Sequence, residues 1–199
     1  MNGQPLLASL TTLIAVAVGS AVSPPLSAAD LVATVVQEEP TPSDASFVNS
    51  DTLQECSRVK MRVFGGLITI GEASLHLSDC ADAQRVLDPV PKQFSIDLSR
   101  DASAQRLQAM ADDLIEENFS PRDKQRFHCI TQSYIDAEAG SRYDVRYIPK
   151  LGLQLWLDQQ LLAHCPEDAK PEDYFAIWFG HKPFNKKLKQ RLVQQALDE

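Results

Sequence analysis

The spacing of the apolar residues switches along the chain between a period of two and a period of about 3.6 residues, and this limits the fold. The β-branched stretch of residues 58 to 77, with glycines inside it, predicts two strands joined by a turn or a bulge. In KQFSIDLS, residues 92 to 99, Phe94, Ile96 and Leu98 alternate with polar residues, which predicts a half-buried strand.

The period then becomes helical. Leu107, Met110, Leu114 and Ile115 predict an amphipathic helix over residues 103 to 118, capped by Asp101 or Ser103. A second helix is predicted from Ser120 and Pro121 to Gly140, because Ser is a favoured N-cap, Pro suits a first turn and Gly suits a helix end.

Alternation returns in RYDVRYI and LQLWLD, followed by LLAHC, and these segments predict a hairpin or a three-stranded meander over residues 142 to 165. Pro171 and Asn185 then begin two last helices, and the first of them, with YFAIWF, is apolar nearly all round and predicted to be buried. Strands, two helices, strands and two helices predict an α+β fold with helices on one side of an antiparallel sheet.

The first 52 residues differ from the rest. Residues 5 to 22 carry no charge and LSAADL follows, so residues 1 to 29 are predicted to be a secretory signal peptide, with an uncleaved N-terminal membrane anchor as the alternative. Residues 30 to 52 are acidic and contain Pro and Ser, which is typical of a flexible linker. The folded domain is predicted to span residues 53 to 199, in a periplasmic or secreted protein.

The net charge of −8 disfavours a nucleic-acid partner, which needs lysines and arginines to displace counterions. The last helix is an exception, since Lys186, Lys187 and Lys189 lie at its positive end and Asp198 and Glu199 at its negative end. Charges in this order oppose the helix dipole. We therefore expect a partner, if there is one, at this C-terminal basic helix.

Four cysteines are present: Cys56, Cys80, Cys129 and Cys165. In an exported chain they allow two disulfides in three connectivities, and buried free thiols are the alternative. Chain order alone suggests the pairs Cys56 with Cys80 and Cys129 with Cys165. The His128-Cys129 and His164-Cys165 pairs suggest a zinc site, but His164 and Cys165 lie in a predicted strand, where neighbouring side chains point to opposite faces. We therefore predict disulfides or buried thiols there and no metal site. The chain has no nucleotide-binding or hydrolase motif either, so we predict no cofactor.

Three segments resemble the chalcone isomerase-like family: RVKMRVFGGLITIGEASLHLSD at residues 58 to 79, LSRDASAQRLQAMADDLIEEN at residues 98 to 118, and residues 143 to 183, which end in IWFGHKP. The resemblance implies an open-faced β-sandwich, in which helices pack against a curved antiparallel sheet beside a ligand cleft. The family divides by activity. Some plant members are isomerases that form flavanones, and others bind fatty acids, so the resemblance implies either of these functions.

Carried over to this chain, the family's arginine corresponds to Arg58 or Arg62, and its strand threonine lies close to Thr69. The helical tyrosine falls near Leu107 and the asparagine near Leu114, which removes the groups that would handle protons and orient the substrate. Tyr134 is a further residue that is predicted either to line a cleft or to pack in the core. The ligand-site residues predicted in this way are Arg58, Arg62, Thr69, Leu107 and Tyr134, and no catalytic residue is predicted.

Three functions remain open from the sequence. The first is a non-enzymatic protein that binds a fatty acid or another small apolar carboxylate. The second is a ligand-free structural or interaction module that meets an acidic partner through the C-terminal basic helix. The third is an isomerase or intramolecular lyase of unknown substrate.

Overall fold

The computed structural model describes residues 53 to 63, 67 to 167 and 170 to 198. The predicted signal peptide of residues 1 to 29 and the predicted linker of residues 30 to 52 lie outside the described residues. The turn or bulge predicted at Gly65 and Gly66 lies outside them as well. No helix of the described part of the chain is long and apolar enough to cross a membrane.

In the described part of the chain, six strands form a single antiparallel sheet in which each strand pairs with the next along the chain. The strands are β1 (Gln54–Val63), β2 (Ile68–Leu77), β3 (Lys92–Leu98), β4 (Arg142–Ile148), β5 (Gly152–Leu157) and β6 (Gln160–Cys165). The predicted strand segments are confirmed, and β1 and β6 are the two edges of the sheet. The register of β1 against β2 shifts at two places, between Glu55 and Ser57 and between Met61 and Arg62.

One face of the sheet is apolar from strand to strand. Leu75 pairs with Phe94, Phe94 with Val145, and Val145 with Leu155, so these four side chains form a continuous row across β2 to β5. Each of them is at most 3% exposed. Period-two alternation in four strands therefore builds one continuous apolar surface, which must be covered.

The helices supply that cover. They are α1 (Ala104–Asn118), α2 (His128–Thr131), α3 (Ala176–Phe179) and α4 (Lys186–Leu197), with short 3-10 segments at Cys80–Arg85, Pro121–Phe127 and Pro171–Phe175. Trp178 of α3 stacks on Phe94 with ring centres 4.2 Å apart, and Phe179 meets the same ring edge-on at 5.7 Å. The aromatic helix predicted from YFAIWF is buried, as expected. The α+β fold with helices on one side of the sheet is confirmed.

Two local predictions were wrong. The helix predicted from Ser120 to Gly140 is a 3-10 segment followed by the four-residue α2, which ends at Thr131. Beyond α2 the chain makes tertiary bonds instead: Tyr143 Oη donates to Ile135 O at 2.5 Å, and Ala137 bridges Ala102. These contacts replace the i to i−4 bonds that a continued helix would need.

The second wrong prediction concerns the residue that caps the start of α1. Ser103 occupies the N-cap position, but its side chain makes no cap hydrogen bond. Asp136 accepts a hydrogen bond from Ala104 N at 2.8 Å, and Asp101 accepts one from Ala139 N instead. A carboxylate from 32 residues further along the chain thus caps α1, which local sequence patterns do not reveal.

The cysteines form two disulfides, Cys56–Cys80 and Cys129–Cys165, which is the pairing suggested by chain order. The first joins β1 to the 3-10 segment after β2, and the second joins α2 to the edge strand β6. Each disulfide is expected to contribute about 3 kcal/mol by restricting the unfolded chain. Two disulfides are typical of proteins that fold in oxidising compartments.

We expect Trp178→Ala to lower the free energy of unfolding by about 3 to 5 kcal/mol, because it removes the ring stacked on Phe94 and leaves a cavity. The chain's other tryptophan, Trp156, is the matched control. It lies on the opposite face of the sheet under Arg146, so Trp156→Ala is expected to cost about 1 kcal/mol. Urea unfolding measures both. Equal losses would contradict the assignment of Trp178 to the covering contact.

Candidate functional site

The face of the sheet opposite the helices carries charged side chains that bind one another. Asp97 lies between two arginines: Arg58 Nη1 is 2.5 Å from Asp97 Oδ2, and Arg142 Nη1 is 3.4 Å from Asp97 Oδ1. Arg142 also donates to Asp144 Oδ1 at 2.8 Å and to Ser95 Oγ at 2.8 Å. These bonds connect β1, β3 and β4 through side chains alone.

Arg58 is almost fully engaged within this network. Its Nε and Nη2 donate to the two carboxylate oxygens of Glu55 at 2.8 and 2.6 Å, and Glu72 lies 3.8 Å away. The hydrogen bond from Arg58 lowers the pKa of Glu55 below its ordinary value. A new carboxylate would have to displace one of the protein's own, so Arg58 is a poor anchor for a ligand.

His76 lies beside the same network, with Nε2 at 3.1 Å from Ser74 Oγ and 3.2 Å from Arg142 Nη2. Burial lowers the pKa of His76, and the charge of Arg142 lowers it further. The imidazole is therefore neutral at pH 7 and accepts the hydrogen bond from Arg142.

A groove of about 1070 Å³ runs between β1 and α4. Six of its twelve lining residues are cations and one is a carboxylate, Asp198. The cations are Arg58, Lys60, Arg62, Lys187, Lys189 and Arg191. Val59 and Val193 also line the groove, so its floor combines apolar side chains with the alkyl stems of lysine and arginine. In a protein with a net charge of −8, this is a concentrated basic surface.

Most of the cations in this groove have no carboxylate partner among the residues that the structure describes. Lys60, Arg62, Lys187 and Arg191 are exposed and form no ion pair with any residue that the structure describes. Arg62 lies where β1 meets the start of α4, since its carbonyl oxygen accepts from Asn185 Nδ2 at 3.4 Å. Of the two arginines predicted from the sequence, Arg62 is therefore the one whose guanidinium is available to an anion.

The structure separates the other predicted residues from the groove. Thr69 pairs with Arg62 across β1 and β2, but it does not line the groove, and neither do Leu107 and Tyr134. Leu107 packs against the core. Tyr134 Oη shares a hydrogen bond with Tyr174 Oη at 2.9 Å, and burial raises the pKa of Tyr134 to about 12. The assignment of these three residues to a ligand site stays a prediction.

In the two His-Cys pairs, the cysteines form a disulfide with each other, and His164 makes a contact of its own. Cys129 and Cys165 are joined to each other, so their sulfur atoms are not available as thiolate ligands. His164 lies on β6 and its Nε2 is 2.7 Å from Leu151 O, within a turn. A small cavity of about 230 Å³ lies beside this disulfide and is lined by Phe127, Ile130 and Leu153, among others.

Comparison with known proteins places the fold in a family. The chalcone isomerase-like family model matches residues 67 to 193, which is more than half of the chain and includes β2 to β6 and most of α4. This chain belongs to the chalcone isomerase-like family. Among solved structures, this chalcone isomerase-like domain is similar to the Arabidopsis thaliana fatty-acid binding protein with a TM-score of 0.57. The two are 9% identical over 74% of this chain and 90% of that chain, so the similarity shows the fold alone. No curated protein matches the chain in sequence.

Within this chalcone isomerase-like domain, the sequence did not reveal that Lys60 and the cations of α4 line one groove. Lys187 and Arg191 are four residues apart and thus lie on one side of α4, and both line the groove. The opposed helix dipole did mark α4 as unusual, but only the tertiary structure brings its cations next to those of β1.

Lys92 is a buried cation that is not among the residues predicted from the sequence. It begins β3 on the apolar face and is fully buried, with Nζ 2.5 Å from Asp88 O and about 5 Å from the ring centres of Tyr147 and Phe175. Burial lowers the pKa of Lys92 from 10.5 to about 8. Alternation already puts residue 92 on the side of Phe94, so the sequence contained this signal.

We expect the lowered pKa of the buried Lys92 to make the free energy of unfolding depend on pH. The folded protein releases this proton at a lower pH than the unfolded chain, so the free energy of unfolding should rise as pH increases from about 8 towards 10.5, by on the order of 2 to 3 kcal/mol. Lys92→Met should remove the rise, whereas Lys60→Met, at an exposed position, should keep it. Urea unfolding below about pH 10, before tyrosines ionise, measures both. A rise that persists in Lys92→Met would rule out this origin.

Proposed function

We propose that this protein binds a fatty acid or another small apolar carboxylate in the groove between β1 and α4, and that it catalyses no reaction on it. The observation that carries the proposal is the composition of the groove, where four cations without an ion-pair partner among the described residues line the same space as Val59, Val193 and alkyl stems. A carboxylate binds well to arginine, and an acyl chain gains free energy when it leaves water for apolar surface. Arg62 is the proposed anchor, and Arg58 supports the groove through its own carboxylate partners.

Two further findings support this proposal. The structural neighbour from Arabidopsis is named as a fatty-acid binding protein, and this chain shares its fold. The family's helical tyrosine and asparagine fall near Leu107 and Leu114, whose side chains cannot transfer a proton. We therefore propose binding without isomerase or lyase chemistry.

We also propose that the protein is exported to the periplasm or secreted. The uncharged N-terminal segment supports a signal peptide, and the two disulfides suit an oxidising compartment.

Native mass spectrometry of the purified chain, followed by lipid extraction, tests the binding proposal. We expect oleate, added as a probe, to bind at one site, and Arg62→Ala to weaken its binding by about tenfold through the lost charge-assisted hydrogen bonds. Arg122→Ala is the matched control, because Arg122 is exposed and lies outside the groove. A protein that takes up no oleate, or an Arg62→Ala variant that binds like the control, would contradict the proposal.

A second candidate function is contact with an acidic protein partner through the basic α4. The unpaired cations of Lys187 and Arg191 favour it. Deleting α4 is a poor test, because Leu188, Leu192 and Ala196 belong to the core. Charge-removing substitutions on the exposed side of α4 test the contact without disturbing that core.

A further inference from the structure

We infer that the groove between β1 and α4 accepts an extended acidic segment of a partner protein, which pairs with the free edge of β1 as an additional strand of the sheet. The inference rests on the second candidate function and specifies where and how the partner would bind. It is carried by the position of the groove on the sheet, by its charge, and by the unpaired edge that it follows.

The groove lies against the edge of β1, not against one face of it. Arg58, Val59 and Lys60 are consecutive residues, and consecutive side chains of a strand point to opposite faces. A groove that touches all three must pass along the strand's edge. Among the residues that the structure describes, this edge has no partner strand, because β1 pairs with β2 alone. A free edge presents unpaired backbone N–H and C=O groups, which are the groups that a bound peptide strand uses.

The charges of the groove select an acidic partner. Lys60 and Arg62 come from β1, Lys187 and Arg191 from α4, and none of these four cations forms an ion pair with a described residue. A strand laid between β1 and α4 would have cations on both of its sides. Acidic side chains on such a strand would neutralise like charges that otherwise repel one another.

The same charges disfavour a second copy of this chain as the occupant. If two β1 edges paired, Lys60 and Arg62 of one copy, which have no ion-pair partner among the described residues, would meet the same two cations of the other copy. The other edge strand, β6, contains no carboxylate residue that would offset this charge. Cations on an edge strand are a known protection against self-pairing. Pairing with a second copy of this chain is therefore disfavoured, and the proposed occupant is an acidic segment of a different protein.

A labelled peptide of alternating glutamate and valine, eight residues long, is the probe, and fluorescence anisotropy with the intact chain is the measurement. We expect saturable binding that Lys187→Gln combined with Arg191→Gln weakens by at least about tenfold, because both cations face the peptide. Arg122→Gln combined with Lys182→Gln removes two exposed cations outside the groove and should leave binding unchanged. Absence of binding, or equal loss in both double variants, would overturn the inference.

Backbone pairing separates strand addition from simple charge attraction. Two versions of the peptide, N-methylated at one or the other alternate set of amides, keep every charge but each lose the N–H donors on one edge. We expect one version to lose binding, since only one edge of the peptide faces β1. If both bind as well as the unmodified peptide, strand addition is wrong.

Oleate titrations of the same samples keep the two proposals apart. Peptide binding in a protein that takes up no oleate would refute the fatty-acid proposal and support the strand-addition inference. Oleate uptake in a protein that does not bind the peptide would support the fatty-acid proposal and refute the strand-addition inference. If both bind, the shared groove predicts that oleate displaces the peptide.

Discussion

The contact between the apolar face of the sheet and the aromatic helix α3 is the one on which the rest of the structure depends. Phe94 lies in the middle of the row that crosses β2 to β5, and Trp178 and Phe179 cover it. Burying such rings supplies most of the free energy that folding requires. The helices cover this face, whereas the opposite face of the sheet has no covering element among the described residues, and its polar groups bind one another or water.

This division explains the properties of the arginines. Arg58 and Arg142 lie on the uncovered face and are neutralised there by Glu55, Asp97 and Asp144. Along the β1 edge, the groove is lined by one carboxylate, Asp198. The exposed cations of β1 and α4 have no ion-pair partners there among the described residues. The available positive charge thus lies at the rim of the sheet, where a groove follows an unpaired strand. Both proposals for function use this one feature.

The membership of the chalcone isomerase-like family does not by itself decide the function, because a fold hosts different activities and the residues of the site determine which one is present. In the proposed site, Arg62 has no ion-pair partner among the described residues. The family's helical tyrosine and asparagine fall near Leu107 and Leu114, which do not line the groove. These features favour recognition of an anion over acid–base chemistry. Two kinds of anion fit these features. An amphiphilic carboxylate would use the apolar side chains of the groove, and an acidic strand would use the backbone edge of β1.

The sequence by itself determined the strands, the fold class, the buried aromatic helix and a correct suggestion for the cysteine pairs, since period-two and period-3.6 patterns are local and strong. It also named Arg58 and Arg62 but had no means to choose between them. Only the tertiary structure decided that Glu55 and Asp97 occupy Arg58, that Asp136 caps α1, and that Lys187 and Arg191 join Arg62 in one groove. The physical reason is that these contacts link residues far apart in the chain, and hydrophobic periodicity specifies which face of an element is buried but not which distant side chain lies opposite it.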